Sequence, residues 1–251
     1  MISEEYVLVF ASAASYNWNM SHLDQRTLLR LMKESEPLLE RAESETSPEA
    51  LWLERLSLHE ETLDRGLAAQ SDGIEEIRYG LSSSPFGHCR IEAGQKGILA
   101  LDFLDSRWNM DPAASRALAL RRWPKARCVE DAPLVERLAA AIFSRDSKAA
   151  IAIHVRGSAF QLRIWRSLLR VPESCLVSYA RLARTAGFPG AFRAVGSALA
   201  SNPIAYIIPC HRVLKADGRL GGFKWGLDRK IAMIAREAAL RDTRSNLAAA
   251  L

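Results

Sequence analysis

The chain has 251 residues, 49% of them hydrophobic and 25% charged, which is typical of a globular protein of one or two domains. It has no apolar run as long as the ~18 residues of a membrane-spanning helix, and its acidic first residues make a poor secretory signal, so we expect a cytoplasmic protein. The four cysteines form no CxxC pair, which argues against a zinc ribbon and a disulfide-stapled miniprotein.

The net charge of +5 is unevenly spread along the chain. Residues 1–80 hold 16 Asp and Glu against seven Lys and Arg, whereas residues 151–240 hold 14 Lys and Arg against four Asp and Glu. The basic block favours a polyanionic partner, although a solvated basic surface would have the same composition.

The sequence of residues 1–75 predicts an acidic helical extension, in which we recognise no catalytic or binding motif. Leucines spaced along one face predict two helices, with a break near Thr46-Ser47-Pro48. The leucines in question are Leu28, Leu31, Leu38 and Leu39 for the first helix, and Leu51, Leu56, Leu63 and Leu67 for the second.

Residues 76–156 predict a small α/β domain with an antiparallel sheet. Three short apolar segments separated by Ser, Pro and Gly turns indicate a meander of strands at 77–81, 86–93 and 97–103. Helices are expected at about 112–122 and 133–143, followed by a strand at 149–155 and a linker at Arg156-Gly157.

Residues 157–240 predict a mostly helical domain, which is followed by a tail at 241–251. An apolar stripe that includes Ile164 and Leu168 indicates a first helix, which Pro172 ends. Two short helices, Ser178 to about Ala186 and about Ala191 to Ala200, are joined by a Gly-containing turn and indicate a helix-turn-helix, although other helical hairpins look similar.

The second helix of this pair is predicted to bury Phe192, Val195 and Leu199, which recur at helical spacing. The neighbouring face consists of small residues and one long cation, Arg193. Such a face could lie close to another backbone, with Arg193 neutralising a phosphate or entering the space of a base, or it could be an ordinary surface arginine beside a helix contact. The small residues of this face are Gly196, Ser197, Ala200 and Ser201.

The segment Ile208-Pro-Cys-His-Arg-Val213 places a thiol beside an imidazole. A cysteine is nucleophilic as its thiolate, which a neighbouring base or cation favours. Because adjacent side chains usually point apart, Cys210 and His211 would communicate through a bridging water. The alternative is a cysteine that only packs in the core.

Two further residues favour the chemical interpretation of this segment. Asn202 lies eight residues before Cys210 and its amide can hold the intervening loop. Glu237 borders the apolar face of a last helix at about 227–239, where a half-buried carboxylate needs a partner, and an imidazole is a natural one. Between these elements, Val213 to Phe223 predicts a hairpin wing.

These motifs make residues 157–239 resemble the catalytic domain of the O6-alkylguanine-DNA alkyltransferases, also called methylated-DNA–protein-cysteine methyltransferases. Residues 77–155 resemble the smaller N-terminal domain of that family more loosely, and residues 1–75 match no pattern that we recognise. The resemblance is carried by Gly157-Ser-Ala-Phe160-Gln161, Val177-Ser178-Tyr179, Arg193-Ala-Val-Gly196, Ser201-Asn202-Pro203, Ile208-Pro-Cys-His-Arg-Val213, Gly218, Gly222-Phe223, Gly226 and Glu237.

The resemblance implies an α+β protein whose winged helix-turn-helix-like catalytic domain binds duplex DNA and flips a damaged guanine out of the stack. Arg193 would occupy the vacated space, while Tyr179 would push on the adjacent phosphate and donate a hydrogen bond to the leaving purine. Asn202 would hold the cysteine loop and orient Tyr179. The remaining residues expected to bind DNA are Ser178, Ala194, Gly196, Ser197 and Arg212.

The resemblance also implies a single-turnover methyltransferase. Glu237 would orient His211, which takes the proton of Cys210 through water, and the thiolate would then attack the O6-alkyl carbon. The S-alkylcysteine that results inactivates the protein. We expect a monomer that needs no cofactor and no metal, and whose partner is double-stranded DNA containing O6-alkylguanine, with O4-alkylthymine as a further possible substrate.

Some residues depart from the family pattern or lie outside its motifs. The stretch Ser174-Cys175-Leu176-Val177 replaces a Gly-Glu-Thr-like stretch, and we interpret Cys175 as a packing residue. Trp225 follows the predicted hairpin and could narrow a pocket against bulky adducts. Cys89 and Cys128 are interpreted as structural.

Two alternatives to the repair enzyme remain at this stage. A DNA-lesion binder or transcriptional regulator of the same fold would lack the transfer chemistry, yet Cys210, His211, Glu237 and Asn202 are all present. A papain-like cysteine hydrolase would need a base far downstream and a different local signature.

Overall fold

The computed structural model describes residues 23–43, 55–63, 73–104, 112–144 and 149–249. These residues belong to two compact units. The sheet unit contains the described residues of 55–163 together with residues 202–207, and the cysteine unit contains residues 23–43, 164–201 and 208–249. None of the α-helices in these ranges is both long enough and apolar enough to cross a bilayer.

Seven α-helices and eight strands make up the described part of the chain. In chain order they are α1 Gln25–Glu43, β1 Leu56–Thr62, β2 Glu76–Ser84, β3 Gly87–Gly94, β4 Gly97–Phe103, α2 Pro112–Arg122, β5 Arg127–Glu130, α3 Ala132–Phe143, β6 Ile151–Gly157, α4 Ala159–Leu169, β7 Val177–Ser178, α5 Tyr179–Thr185, α6 Phe192–Ala200, β8 Val213–Leu214 and α7 Leu227–Ala249.

The sheet unit is built on six strands in the order β1-β6-β4-β3-β2-β5. The meander β2-β3-β4 is antiparallel, as predicted. The sheet as a whole is mixed, because β6 pairs in parallel with both β1 and β4, and β5 pairs in parallel with β2. Helices α2 and α3 supply the crossovers that parallel neighbours require. The predicted antiparallel sheet is therefore correct for β2, β3 and β4, but the pairings of β1, β5 and β6 are parallel.

Helix α3 covers the β2 part of this sheet. Asp131 caps its first turn, its carboxylate accepting a hydrogen bond from Leu134 N at 2.9 Å. The side chain of Val135 is fully buried and lies so close to Gly80 that a Cβ there would be 3.2 Å from Val135 Cγ2. The glycine therefore lets the helix approach the strand closely.

Residues 202–207 complete the sheet unit although they come late in the chain. Leu101 N, on β4, donates to Pro203 O at 3.0 Å, and Ala205 N donates to Leu101 O at 2.9 Å. The ring of Tyr206 packs 5.3 Å from Phe86 and 5.2 Å from Phe143. This short segment therefore pairs with β4 and closes an aromatic cluster.

In the cysteine unit, two short strands hold together the helices that carry the site. Val177 pairs with Val213 and Ser178 with Leu214, so β7 and β8 run parallel. Helix α5 starts directly after β7. Trp165, on α4, donates from Nε1 to the carbonyl of Ala198 at 2.9 Å and so anchors the end of α6.

Helix α1 packs against these strands and confirms the first predicted helix. Its Leu28 and Met32 join a buried cluster with Leu176, Leu214 and Ile234. The backbone N–H of Leu176 donates to Ser35 Oγ at 2.9 Å, Glu36 pairs with Arg181, and Gln25 Nε2 donates to Asp217 O at 2.9 Å. These residues of the predicted extension are therefore part of the cysteine unit.

Other predictions for the elements are corrected by the structure. The second helix of the extension is wrong, because Leu56–Thr62 is strand β1, while Leu51, Leu67 and Thr46-Ser47-Pro48 lie outside the described residues. Arg156-Gly157 is part of β6, not a linker, because it pairs with β1. The predicted tail continues α7 as far as Ala249.

The predicted wing is a turn and not an antiparallel hairpin. Lys215 N donates to Arg219 O at 2.8 Å and Gly218 N donates to Lys215 O at 2.9 Å, which closes the turn. The strand that enters it, β8, pairs instead with β7, whose residues precede it by more than thirty positions and give no local sequence signal.

Candidate active site

Cys210 begins a single turn of 3-10 helix, Cys210–Arg212, directly after Pro209. The turn is closed by hydrogen bonds from Cys210 N to Ile208 O at 2.8 Å and from Arg212 N to Pro209 O at 3.0 Å. The residue is 5% exposed and its side chain lines a cleft. The thiol is therefore sheltered by the fold but borders an open space.

His211 is fully buried and its Nε2 lies 2.8 Å from Glu237 Oε1. Burial lowers the pKa of the imidazole, and Arg212 and Lys230 lower it further, although Glu237 opposes the shift. Because Nε2 faces the carboxylate, the other ring nitrogen, Nδ1, is the one left for proton exchange. The geometry fits the predicted pairing of an imidazole with a carboxylate.

Glu237 also binds the guanidinium of Arg212. Arg212 Nη2 donates to Oε1 at 2.9 Å, Nε donates to Oε2 at 3.0 Å, and Nη1 donates to Val171 O at 2.6 Å. Burial opposes ionisation of Glu237, but Arg212 and His211 outweigh it and hold the pKa of that carboxyl well below its usual range. The site therefore contains a buried carboxylate between two basic side chains.

This arrangement corrects the prediction that Arg212 binds DNA. Its side chain is 9% exposed and is held between a carboxylate and a backbone carbonyl. A buried carboxylate needs such charge-assisted hydrogen bonds to stay ionised, which explains why the arginine turns inward.

Ser174 also contributes to the site, although no sequence pattern indicated it. Its N–H donates to Glu237 Oε2 at 3.0 Å and its hydroxyl donates to the backbone carbonyl of Glu237 at 2.6 Å. Its φ of 66° lies in the left-handed region, which non-glycine residues seldom adopt. The stretch that departs from the family pattern is thus hydrogen-bonded directly to the carboxylate and the backbone of Glu237.

Lys230 is a second residue that the sequence analysis missed. It is fully buried, and its ammonium donates to the carbonyls of Val213, at 2.7 Å, and Leu220. Burial lowers its pKa to about 8, and the neighbouring Cys210 partly opposes the shift. Its spacing of seven residues from Glu237 places both on one face of α7, which was the available signal.

The buried face of α7 agrees only in part with the predicted one, which comprised Leu227, Ile231, Ile234 and Ala238. Ile234 is buried as expected and Ile231 and Ala238 are half-buried, whereas Leu227 is 45% exposed. Lys230 and Glu237 lie on the buried side with Ile234. Glu237 was expected at the border of the apolar face, but Lys230 was not, because a hydrophobic pattern assigns charged side chains to the surface.

The cleft beside Cys210 has a volume of about 670 Å³. The ring of Tyr179 lies directly against the glycine turn, because a Cβ at Gly221, whose φ is +69°, would be 2.9 Å from the Tyr179 hydroxyl. Burial raises the pKa of Tyr179 and Cys210 adds to the shift, so the hydroxyl stays a donor at neutral pH. The residues that line the cleft include Tyr179, Phe192, Arg193, Gly196, Cys210, Lys215, Gly221, Gly222, Phe223 and Lys224.

Helix α6 presents the predicted small-residue face to solvent. Arg193, Ala194 and Ser197 are exposed, and Gly196 is half-buried beside Tyr179. Ser178, also expected to contact DNA, caps α5 by accepting a hydrogen bond from Arg181 N at 3.1 Å. The prediction for Phe192 was wrong, because its side chain is half exposed and lines the cleft.

Asn202 is fully buried in the sheet unit, where its Oδ1 accepts a hydrogen bond from Ile204 N at 3.0 Å. Its amide therefore holds the start of the segment that leads to Cys210. The predicted role in orienting Tyr179 stays a prediction.

The remaining cysteines and Trp225 do not line the cleft. Cys175 is buried, and burial raises the pKa of Cys89 to about 12. In the described part of the chain, no three His, Cys, Asp or Glu residues are grouped as metal ligands. Trp225 is buried behind Phe223 and Lys224 and does not line the cleft, so it does not narrow it directly.

Comparison with known proteins places these features in context. Residues 159–239 match the family model described as "6-O-methylguanine DNA methyltransferase, DNA binding domain". The chain is 36% identical over 169 residues to the bifunctional transcriptional activator/DNA repair enzyme Ada of Escherichia coli, covering 64% of this chain and 46% of that protein. It is 46% identical over 103 residues to a methylated-DNA–protein-cysteine methyltransferase of Mycolicibacterium paratuberculosis, covering 41% of this chain and 62% of the relative.

This chain is also similar to a solved structure, and the similarity extends over most of the length of that structure. The crystal structure of Mycobacterium tuberculosis OGT in complex with DNA matches with a TM-score of 0.50 and 33% identity, covering 64% of this chain and 93% of that one. The chain spans about half the length of the Ada proteins that it matches.

Proposed function

Since the chain belongs to the 6-O-methylguanine DNA methyltransferase family, we propose that it repairs DNA by moving an alkyl group from O6 of guanine to Sγ of Cys210. In this step an S–C bond forms as the C–O6 bond breaks. The proton of the thiol passes through water to His211, and the guanine leaves as its anion, to which Tyr179 donates a hydrogen bond. The anion takes up one proton from solvent while His211 returns one to solvent, which balances the step. The thioether product is stable, so each molecule reacts once.

The observation that carries this proposal is a thiol on the wall of a cleft beside a buried His211–Glu237 pair. A carboxylate that stays ionised orients the imidazole and stabilises its protonated form. Because the pKa of His211 is lowered, the ring is neutral at physiological pH and can accept a proton. The protonated ammonium of Lys230, next to Cys210, favours negative charge on the sulfur.

The helices α5 and α6 would bind the duplex as a helix-turn-helix-like element. Exposed Arg193 enters the space of the flipped base, and the exposed or half-exposed residues Ala194, Gly196 and Ser197 allow the DNA backbone to lie close. An O6-alkylated guanine pairs weakly, so flipping it costs less than flipping a normal base. The substrate is thus O6-alkylguanine in double-stranded DNA, and the protein acts as a monomer.

Transfer of a labelled methyl group tests this function. With a duplex containing labelled O6-methylguanine, we expect one equivalent of label per protein molecule, located at Cys210 by peptide mass spectrometry. Cys210→Ala should bind the duplex without taking up label. Cys128→Ala, which removes a half-buried thiol of the sheet unit, is the matched control and should react like the wild type.

The same experiment tests the alternative of a lesion-binding protein without transfer chemistry. Such a protein would bind the duplex and leave all the label on the DNA. Label on a cysteine other than Cys210 would also contradict the proposal.

A further inference from the structure

Phe192 is an apolar side chain in an unusual place. It is 50% exposed, and the other large hydrophobic residues with comparable exposure among the described ones are Leu120, at 47%, and Leu227, at 45%. Large aromatic rings usually bury most of their surface, so a half-exposed ring at a cleft is a candidate for contact with a partner.

The position of Phe192 relates it to the proposed DNA contact. It is the first residue of α6 and directly precedes Arg193, and both side chains line the cleft that contains Cys210. Residues at the start of a recognition helix are the ones that reach the bases. Gly196, one turn further on, leaves the surface beside the ring open, since a Cβ there would meet only Tyr179 Cε1 at 3.9 Å.

When a nucleotide is flipped out, a protein side chain has to fill or cover the gap that it leaves in the duplex. When a base leaves the stack, its neighbours expose apolar ring faces to water, and the duplex tends to close the gap. Arg193 can hydrogen-bond with the orphaned base, but one guanidinium covers little apolar surface. Proteins that open base steps frequently use an apolar wedge for that purpose, and aromatic side chains stack well on bases.

We propose that Phe192 is a second wedge residue, whose ring stacks on the base adjacent to the gap while Arg193 occupies the gap itself. This inference rests on the proposed function, and it assigns Phe192 a role in holding the duplex open and none in the transfer step. The ring matters for duplex DNA, in which a gap must be kept open. It does not matter for a single strand, whose bases are already accessible.

The test compares single-turnover methyl transfer from one O6-methylguanine oligonucleotide, presented as a duplex and as a single strand. Phe192→Ala should lower the rate constant at limiting duplex by about tenfold, the order expected for one lost base–aromatic contact. The rate with the single strand should stay within about twofold of the wild type. Phe192→Tyr keeps the ring and should restore the duplex rate.

Matched controls separate the wedge from general loss of apolar surface. Leu227→Ala and Leu120→Ala remove equally exposed side chains elsewhere and should react with both substrates like the wild type. The thermal midpoint of Phe192→Ala should equal that of the wild type, because a half-exposed ring contributes little to the core.

The outcomes distinguish failure of the wedge from failure of the function. If the wild-type protein takes up no label from either substrate, both the proposed function and the wedge role of Phe192 are contradicted. A Phe192→Ala variant with wild-type duplex rates would overturn the wedge alone. Equal losses with duplex and single strand would also overturn it, because the ring would then act on the flipped base itself and not on the gap in the duplex.

Discussion

Glu237 is the residue on which the candidate site depends most. It receives hydrogen bonds from His211, Arg212 and Ser174, which come from two separate segments of the chain. Removing its charge would leave the Arg212 guanidinium buried without a counter-ion, which is among the most destabilising changes that a protein can undergo.

We therefore expect Glu237→Gln to lower the free energy of unfolding by about 3–5 kcal/mol near neutral pH. The folded carboxyl has a pKa below its ordinary value of 4.5, so its stabilisation is complete above pH 4.5 and is lost as the pH falls through the folded pKa. Urea unfolding of both proteins should thus give a difference that narrows below pH 4.5. A difference that stays constant down to strongly acidic pH would contradict the ion pair.

His211 predicts the pH dependence of the reaction. Its pKa is lowered from the ordinary value of 6.5, so at pH 6.5 most of the ring is in the neutral form that can accept a proton. With saturating DNA, the single-turnover transfer rate should therefore fall to half its maximum only below pH 6.5. A half-maximal rate at or above pH 6.5 would mean that burial does not control this imidazole.

Gly221 predicts a steric limit in the cleft. An alanine there would combine a φ of +69° with a Cβ 2.9 Å from the Tyr179 hydroxyl. We expect Gly221→Ala to slow transfer at least about tenfold, because a displacement of a reacting group by about 1 Å has large effects. Gly222→Ala, whose Cβ meets no atom within 4 Å, should slow transfer less. Equal reductions in the transfer rate for the two variants would contradict the Tyr179 contact.

At the scale of elements, α1 is the feature that connects an otherwise unrecognised part of the sequence to the site. It packs against Leu176, which is three residues before Tyr179, and against Leu214, which is four residues after Cys210. Each of the strands β7 and β8 therefore has α1 on one side and leads directly into cleft residues. This helix supports the site without contributing to its chemistry.

Leu28→Ala should lower the stability by about 2–5 kcal/mol, because Leu28 is 3% exposed and its loss leaves a cavity against the strands. Lys33→Ala changes an exposed side chain of the same helix and should shift it by no more than about 0.5 kcal/mol. Urea midpoints followed by circular dichroism measure both. Equal midpoints for the two variants would mean that α1 does not support the strands.

The elements differ in how far the sequence could predict them. The meander and helices α2 to α7 were predicted because their patterns of buried residues are local. Strand β1 was missed because its leucines also fit a helical spacing, and its pairing with β6 lies about ninety residues away. Strand β5 has four residues, too few for a periodic signal.

The site residues that belong to a sequence motif could be predicted. Those whose place in the site depends on being buried or exposed in the folded structure could not. Cys210, His211 and Glu237 followed from the motif and its helix. Arg212 is buried because it forms an ion pair with Glu237, and Lys230 is buried because it donates hydrogen bonds to two backbone carbonyls. A hydrophobic pattern carries no information about such partners. Phe192 turned outward, although periodicity assigns any large apolar residue to the core.

At the scale of the whole molecule, the charge distribution predicts how DNA binding responds to salt. Residues 151–240 carry ten more basic than acidic residues, while residues 1–80 are acidic. A basic surface that contacts phosphates releases counterions, so the logarithm of the affinity should fall linearly with the logarithm of salt concentration.

Between about 50 and 200 mM NaCl we expect at least a tenfold loss of affinity for a duplex of any sequence, measured by fluorescence anisotropy. Circular dichroism at both concentrations serves as the control for folding. Salt-independent binding would mean that the basic residues do not contact the phosphates.

The return of residues 202–207 to the sheet unit has a consequence for biosynthesis. A chain emerging from the ribosome has made all six strands by residue 157, but β4 gains its last backbone partner only after Ala205 has been added. Cys210 follows five residues later, and Glu237 another 27 after that. Under the proposed function, the thiol and its supporting carboxylate are therefore assembled late in translation, and a polypeptide that terminates before Glu237 would not transfer an alkyl group.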